Sequence, residues 1–123
     1  MLDCSAVLAL IFDEPGRERV DAALPEALLS AVNLAEVVSK LIERGVAKAD
    51  VPPLISPFLA GIVPFDKAMA LEAGALRAET RAAGLSLGDR ACLALAAAEG
   101  VPALTADRAW AQVDIGVEIE VIR

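Results

Sequence analysis

The chain has 123 residues, 57% of them hydrophobic, and a formal net charge of −7. That length is enough for one compact domain with a real core, and the apolar composition excludes a disordered chain. Histidine is absent, which excludes Ser-His-Asp and Cys-His triads and leaves carboxylates as the natural metal ligands, favouring Mg²⁺ or Mn²⁺ over zinc.

Several features bear on where the chain works and what it contacts. Cys4 and Cys92 form no C-x-x-C pair, so free thiols in a reducing cytoplasm are expected. No signal peptide is expected, since the opening MLDC has an acid where a basic segment is required. The longest uncharged run, residues 51–65, is too short and too rich in proline to span a membrane. The apolar surplus predicts a dimer face or a protein partner, and the acidic balance argues against binding nucleic acid through a general basic surface.

Helical and strand patterns alternate along the chain. The predicted helices are 5–12, 17–24 ended by Pro25, one from its cap Asn33 to the stop at Gly45, one from Asp66 to about 83, one from its cap Ser86 to Glu99, and a short one at 107–112. The predicted strands are a very short one at 1–2, then 26–31, 61–65, 101–105 and 117–122. Pro64 marks either the end of the strand at 61–65 or an exposed edge of the sheet. Residues 51–57 are predicted as a loop or an interrupted helix. This order predicts an α/β sandwich around a central, mostly parallel sheet, in a single domain over residues 1–123.

Four carboxylates lie where strands give way to helices. Asp3 follows the first strand and Asp107 follows the fourth, while Glu36 and Asp89 each lie one turn into a helix. Ligands of an open parallel sheet bind outside the carboxyl ends of its strands, so Asp3, Glu36 and Asp107 map to one edge, and Asp89 joins them if its helix starts there. Gathered carboxylates raise one another's pKa values unless a cation intervenes, and no lysine is inserted among these motifs. The cluster therefore suggests a divalent metal site.

Each acid also has an ordinary structural explanation. Glu36 after Asn33, and Asp89 after Ser86, have the spacing of a capping box, and the other two acids could be simple N-caps. Five further acids are interpreted as solvated or capping residues: Asp13, Glu14, Asp66, Glu72 and Asp114.

Four blocks of the sequence resemble a known family: LDCSAVLALIFDEPG, SAVNLAEVVSKL, GLSLGDRACLALA and VPALTADRAW. They are similar to the signature blocks of PIN domains, in the family's order and over almost the whole chain, and in particular to those of VapC-type toxins from type II toxin–antitoxin modules. The resemblance implies a three-layer PIN-like sandwich and an endoribonuclease that depends on Mg²⁺ or Mn²⁺. It also implies RNA as substrate and a VapB-type antitoxin as inhibitory partner. A homodimer and a cytoplasmic location are expected as well, in line with the apolar surplus and the free thiols.

The resemblance further implies an acidic catalytic and metal site made of Asp3, Glu36, Asp89 and Asp107. The three aspartates are expected to be metal ligands, directly or through water, whereas Glu36 either ligates the metal or accepts a proton. Ser5 and Thr105 match the small hydroxyl positions that support the site, a role that competes with ordinary hydrogen bonding at helix and strand ends.

Other side chains near these motifs have two interpretations each. Arg90 and Arg108 directly follow site acids; they either meet RNA phosphate or form surface salt bridges, and the salt bridges are favoured. Trp110 either stacks on a base or packs against the last strand, and packing is favoured in a chain with so few aromatics. Five apolar residues are either core or partner-facing: Leu41, Ile42, Leu54, Leu59 and Ile62.

Two features depart from the family pattern. Only two residues precede Asp3, where relatives usually have a few more, so either the true start lies upstream or the sheet edge is trimmed. The charge of −7 is awkward for an enzyme acting on a polyanion. The alternative is a catalytically quiet PIN-like binding module that acts through a protein partner. A nucleotide switch lacks its G-x-x-x-x-G-K loop, and an aspartyl phosphatase would need a second aspartate where Ser5 stands.

Overall fold

The computed structural model of the protein describes residues 1–123, which form seven α-helices and four short β-strands. The helices are α1 (Cys4–Ile11), α2 (Arg17–Ala23), α3 (Ala31–Glu43), α4 (Val51–Ile55), α5 (Lys67–Ala75), α6 (Arg77–Thr80) and α7 (Leu87–Glu99). The strands are β1 (Leu29–Ser30), β2 (Ile62–Val63), β3 (Ala103–Thr105) and β4 (Ile119–Val121). Short 3-10 helices occupy Leu24–Glu26, Lys48–Asp50, Ser56–Gly61 and Arg108–Gln112.

The strands form a parallel sheet that the segment around Leu2 completes. β1 pairs in parallel with β2, and β3 pairs in parallel with β4. Leu2 lies between the two pairs, because its N–H donates to Leu28 O at 2.9 Å and it makes an isolated parallel bridge with Leu104. The order is therefore β2-β1-Leu2-β3-β4. This confirms the parallel sheet, the very short first strand and the edge position of β2, which ends just before Pro64.

Helices cover both faces of this sheet. Successive residues of a strand point to opposite faces, and the sequence uses apolar residues for both directions, as buried parallel strands do. Leu2 and Leu104 pack with residues of α1, α2, α3 and α4, whereas their neighbours Met1 and Ala103 pack with α7 and the buried Trp110. A large apolar side chain buried in this way contributes roughly 2 kcal/mol. The two apolar layers hold the sheet between them and give the predicted three-layer sandwich.

The two cysteines lie on opposite faces of the sheet. Cys4 belongs to the cluster around α1 and Cys92 to the cluster around α7, and both are buried free thiols, as predicted. Burial raises the pKa of Cys4 to about 12. Its thiol therefore stays protonated at neutral pH and is a poor nucleophile.

Helix α3 begins earlier than predicted. Ser30, not Asn33, is its N-cap, with the Ser30 hydroxyl accepting a hydrogen bond from Val32 N at 3.3 Å. Both residue types are good caps, but Ser30 ends β1 in an extended conformation and so reaches the cap position first. The predicted capping role of Asn33 is wrong, as is its capping box with Glu36. Asn33 is instead fully buried inside the first turn of α3.

The helix predicted from Asp66 to about residue 83 is divided. Asp66 caps α5 as expected, but α5 ends at Ala75, and the short α6 follows Leu76. Near this junction the Thr80 hydroxyl donates to Leu76 O at 2.7 Å, a side-chain bond that competes with regular helix geometry. The other helices lie within a few residues of their predicted bounds, and residues 51–57 contain the interrupted helix, α4.

The apolar residues with two interpretations divide between core and surface. Leu41 is buried, and Leu54 and Ile62 pack partly buried against the core. The large apolar side chains that remain exposed are Ile42, Leu59, Leu71 and Leu87. None of the helices has the length and apolar character needed to cross a membrane.

Candidate functional site

The four acids singled out in the sequence line one cavity at the carboxyl edge of the sheet. The cavity has a volume of about 240 Å³ and is open to solvent. Its charged lining consists of Asp3, Glu14, Glu36, Lys40, Arg44, Asp89, Asp107 and Arg123. Asp89 therefore does lie with the other three predicted acids, a point that the sequence left open. Glu14, interpreted from the sequence as solvated or capping, lines the same cavity.

Asp3 is the most deeply held of these acids, with only 3% of its surface exposed. It is the N-cap of α1, and its Oδ1 accepts a hydrogen bond from Ala6 N at 2.7 Å. Two hydroxyls add to this: Ser5 Oγ donates to the carboxylate at 2.8 Å, and Thr105 Oγ1 donates to Oδ2 at 2.7 Å. Ala6 and the two hydroxyls fix the carboxylate at the edge of the sheet.

Ser5 and Thr105 also tie neighbouring parts of the site together. Ser5 Oγ accepts from Ala106 N at 2.8 Å, and Thr105 Oγ1 accepts from Asp107 N at 3.0 Å. Each hydroxyl thus links the Asp3 carboxylate to the backbone that leads from β3 to Asp107. The loop after β3 and the start of α1 are positioned relative to each other by these two side chains.

Burial raises the pKa of Asp3 to about 6. The hydrogen bonds from Ala6, Thr105 and Ser5 lower that pKa but do not offset burial, and the negative charge of Asp89 raises it further. The folded protein therefore disfavours the ionised form of Asp3, mainly because the carboxylate is buried away from water.

The ionised form of Glu36 is disfavoured in a similar way. Burial raises the pKa of Glu36 and the Asp89 carboxylate raises it further, whereas Lys40, one turn along α3, and the side chain of Asn33 lower it without offsetting the increase. The buried Glu36 Oε2 has no hydrogen-bond partner. An acceptor in this state is costly unless a donor or cation completes it.

Glu36 lies against Gly88 in the first turn of α7. A Cβ added at Gly88 would lie 2.6 Å from Glu36 Oε2, so a larger residue at this position would displace the Glu36 carboxylate. The buried Asn33 supports the contact, since its Nδ2 donates to Gly88 O at 3.0 Å. Sequence reasoning missed both roles, because nothing local in the sequence indicates which residues of α3 and α7 face each other.

Asp89 and Asp107 both act as caps in addition to lining the cavity. Asp89 Oδ2 accepts from Ser86 N at 2.8 Å, and the Ser86 hydroxyl accepts from Asp89 N at 3.2 Å, so the predicted capping box is present. Asp107 is exposed, and its Oδ1 accepts from Ala109 N at 2.9 Å. The capping interpretation of these acids and their place in the cavity are therefore compatible.

The cavity is not purely acidic, contrary to the expectation of a cluster without lysine. Lys40, Arg44 and Arg123 line it together with the acids. The sequence does carry a signal for Lys40, because it follows Glu36 by four residues, the spacing that puts two side chains on one helix face. As placed, no three acidic side chains lie close enough together to hold one ion.

Arg90 and Arg108 have different partners from those predicted. Arg90 Nη1 donates to Ala73 O at 3.0 Å, which ties α7 to α5, and Arg108 Nε donates to Arg123 O at 3.4 Å. Neither belongs to any of the four salt bridges, so the favoured salt-bridge interpretation is wrong. Trp110 is fully buried, which confirms its packing role and removes it from contact with a base.

The donor set fits a hard divalent ion chemically. Its members are carboxylates and hydroxyls, the oxygen ligands that Mg²⁺ and Mn²⁺ prefer. Glu36 Oε2 is a buried acceptor without a partner, and the pKa of Asp3 is raised by burial and by Asp89. A cation in the cavity would relieve both conditions.

A profile of the PIN domain family matches residues 1–116. The chain belongs to the PIN-domain family. DNA-bound VapBC from Salmonella typhimurium is structurally similar to this PIN domain, with a TM-score of 0.75 and 23% identity over 98% of this chain and 95% of that chain. FitAcB from Neisseria gonorrhoeae has a TM-score of 0.65 and 21% identity, covering 96% of this chain and 94% of its own. A toxin–antitoxin complex from Klebsiella pneumoniae has a TM-score of 0.61 and 23% identity, covering 96% and 98%. At these identities the structures show a common fold. No curated protein matched the sequence.

Proposed function

We propose that this PIN domain is a metal-dependent endoribonuclease that hydrolyses RNA phosphodiester bonds. The observation that carries the proposal is one cavity lined by Asp3, Glu36, Asp89 and Asp107. The pKa values of Asp3 and Glu36 are both raised there, and Glu36 Oε2 has no hydrogen-bond partner. Neighbouring carboxylates with raised pKa values destabilise the folded state, and such groups are typical of functional sites.

The four acids are the proposed ligands of Mg²⁺ or Mn²⁺, which would activate water and stabilise the charge that develops on the phosphate. Asp3 is the fixed member, because Ala6, Ser5 and Thr105 hold its carboxylate. The others must draw toward it, since no three acids converge as placed. Glu36, with its free Oε2, either ligates the ion or accepts the proton of the attacking water.

We further propose that the chain is the toxin of a type II toxin–antitoxin module. The support is the shared fold with VapBC and with FitAcB, alongside the VapC-like blocks of the sequence. A VapB-type antitoxin is the proposed inhibitory partner, and the chain is proposed to form a homodimer in the cytoplasm. Exposed apolar side chains, among them Leu71 at 69% exposure, supply surface for such contacts.

The test is cleavage of total cellular RNA by protein purified free of any partner. We expect cleavage with Mg²⁺ or Mn²⁺, none with EDTA, and strong loss in Asp3→Asn and Asp89→Asn. Asp66→Asn is the matched control: it removes the same charge from an exposed N-cap outside the cavity, where asparagine caps equally well. Cleavage that survives both site substitutions would come from a contaminant and would reject the site.

A catalytically quiet binding module is the second candidate. It is favoured by the capping roles of Asp89 and Asp107 and by the absence of three converging acids. A divalent ion that stabilises the purified fold without any cleavage of RNA would favour this candidate over the nuclease.

A further inference from the structure

Positive charge gathers at the acidic cavity although the molecule as a whole is acidic. Three of the eleven basic residues, Lys40, Arg44 and Arg123, line it. The proposed nuclease activity needs some local attraction for RNA, because a chain with a net charge of −7 repels a polyanion. The following inference rests on that proposed activity.

A single carboxylate holds the two arginines together. Glu14 Oε1 accepts from Arg44 Nη1 at 3.0 Å, and Glu14 Oε2 accepts from Arg123 Nη1 at 2.9 Å. Two guanidinium groups bound to the two oxygens of one anion form the kind of arrangement that also binds two oxygens of a phosphodiester.

The fold holds Glu14 and Arg44 in position. Glu14 N donates to Ala9 O at 2.9 Å, and the preceding Asp13 has a φ of 57°, a left-handed conformation that fixes the turn after α1. The Arg44 guanidinium lies 4.4 Å from the centroid of the Phe12 ring, a cation–π contact that orients it. Arg44 would therefore keep its place if Glu14 were exchanged for another anion.

Replacing Glu14 would cost little energy. The side chains of Arg44, Arg123 and Glu14 are 46%, 34% and 26% exposed, and ion pairs in such positions contribute little to stability. A phosphate brought to the cavity by the rest of an RNA chain can therefore take the place of the Glu14 carboxylate.

We propose that Arg44 and Arg123 bind a backbone phosphate of the RNA substrate at the mouth of the acidic cavity. In the free protein Glu14 occupies the position of that phosphate. Glu14 is thus an internal competitor of the substrate, and the two arginines position the RNA without taking part in bond cleavage.

The experiment measures RNA affinity and cleavage separately. Arg44→Gln and Arg123→Gln are each expected to raise KM about fivefold with kcat nearly unchanged. In an Asp3→Asn background, each should weaken binding of a fluorescent single-stranded oligoribonucleotide by the same factor. Each should also reduce the slope of log affinity against log salt by about 0.7, the value for one phosphate contact on a single strand. Glu14→Gln should tighten binding about threefold, because it removes the competing charge.

Matched controls come from another ion pair of this chain. Arg19 and Glu120 form an exposed bidentate pair, with Arg19 Nη2 donating to Glu120 Oε2 at 2.9 Å, and neither residue lines the acidic cavity. Arg19→Gln and Glu120→Gln change net charge identically and should leave KM and the salt slope as in the wild type. If the Arg19 and Glu120 variants changed RNA binding as much as the Arg44, Arg123 and Glu14 variants, the effect would come from the net charge of the protein. That result would overturn the proposal.

The outcomes separate this inference from the proposed activity. If the wild type cleaves RNA but Arg44→Gln and Arg123→Gln keep its KM, affinity and salt slope, the phosphate position is wrong and the nuclease stands. If the wild type cleaves no RNA, the proposed activity fails. Tighter binding in Glu14→Gln, with looser binding in both arginine variants, is the combination that supports the inference.

Discussion

Asp3 shows, at the scale of one residue, that the site is built at the expense of stability. Its carboxylate is almost fully buried and accepts bonds from Ala6, Ser5 and Thr105, yet its pKa still rises to about 6. Hydrogen bonds to a carboxylate lower its pKa, so burial outweighs all of them. A residue that the fold holds at such a cost is expected to be one whose removal stabilises the metal-free protein.

Asp3→Asn is expected to stabilise the metal-free protein near neutral pH and not near pH 4. Below 3.8, the ordinary pKa, the carboxyl is protonated in both the folded and the unfolded chain. Between pH 3.8 and about 6, Asp3 ionises in the unfolded chain but stays largely protonated in the folded chain. The wild type therefore loses up to about 3 kcal/mol of stability as the pH rises through this range. The measurement is the free energy of unfolding in urea, with EDTA, of both proteins across this range.

The difference between the two proteins should therefore grow with pH and level off above pH 6. Asp66→Asn, at an exposed cap, should follow the wild type throughout. Parallel stability curves for wild type and Asp3→Asn would mean that folding leaves the pKa of Asp3 unchanged, contrary to the burial seen here.

Sequence reasoning located some residues of the cavity and missed others for a physical reason. Asp3 and Asp107 follow sheet segments directly, so local pattern alone brought them to one edge. The contacts of Glu14 join it to Arg44, 30 positions away, and to Arg123, 109 positions away. No periodicity in the sequence encodes pairs that far apart, and an acid in a turn is otherwise expected to be solvated.

At the scale of elements, α3 and α7 form the wall that carries Glu36 and Asp89. Asn33 donates to Gly88 O, and the Glu36 carboxylate lies over Gly88. The sequence predicted both helices but not the face on which they meet, because Asn33 was expected to be a cap. Since Ser30 takes the cap, the amide of Asn33 is free to connect the two helices.

Gly88→Ala is expected to reduce RNA cleavage strongly while leaving the fold intact. The new methyl group would lie 2.6 Å from Glu36 Oε2, and the free end of a flexible side chain yields before the backbone does. Alanine itself favours a helix by up to about 1 kcal/mol. Cleavage rate and thermal unfolding are the two measurements.

Gly74→Ala is the matched control for that substitution. Gly74 also lies inside a helix, α5, and a Cβ there meets nothing within 4 Å. Its variant should gain stability and retain full cleavage. If Gly88→Ala cleaves as well as Gly74→Ala, the position of the Glu36 carboxylate over Gly88 is irrelevant to the activity.

The first turn of α7 allows the capping and functional roles of Asp89 to be separated. Ser86→Ala removes the hydroxyl that accepts from Asp89 N and should cost about 1 kcal/mol, with cleavage changed little. Asp89→Asn keeps an oxygen that can accept from Ser86 N, so it should cost little stability but lower cleavage roughly 100-fold. Losses of activity that merely follow losses of stability in the two variants would leave Asp89 with a capping role alone.

At the scale of the whole molecule, the sandwich was predictable because its signal repeats. Apolar strands alternate with helices from end to end. The inner part of the sheet buries both faces, as Met1 and Leu2 do, whereas the edge strands β2 and β4 are half-buried. Strand lengths were overestimated: the segment predicted at 26–31 contains only Leu29–Ser30 as a strand. Strand ends depend on hydrogen-bond partners elsewhere in the chain, which hydrophobic pattern alone does not specify.

A divalent ion is expected to stabilise this acidic molecule through the cavity. If the four acids share an ion, Mg²⁺ or Mn²⁺ at about 100 times its Kd should stabilise the wild type by about 2.7 kcal/mol. For a chain of this length that corresponds to roughly 10 °C in Tm.

Any cation also relieves the general repulsion within a molecule of net charge −7, so KCl at equal ionic strength is the control for charge. Asp3→Asn is the control for the site, because it changes the net charge by only one unit. A Tm increase that is as large in KCl, or as large in Asp3→Asn, would mean that the ion acts on the whole surface and not on the cavity.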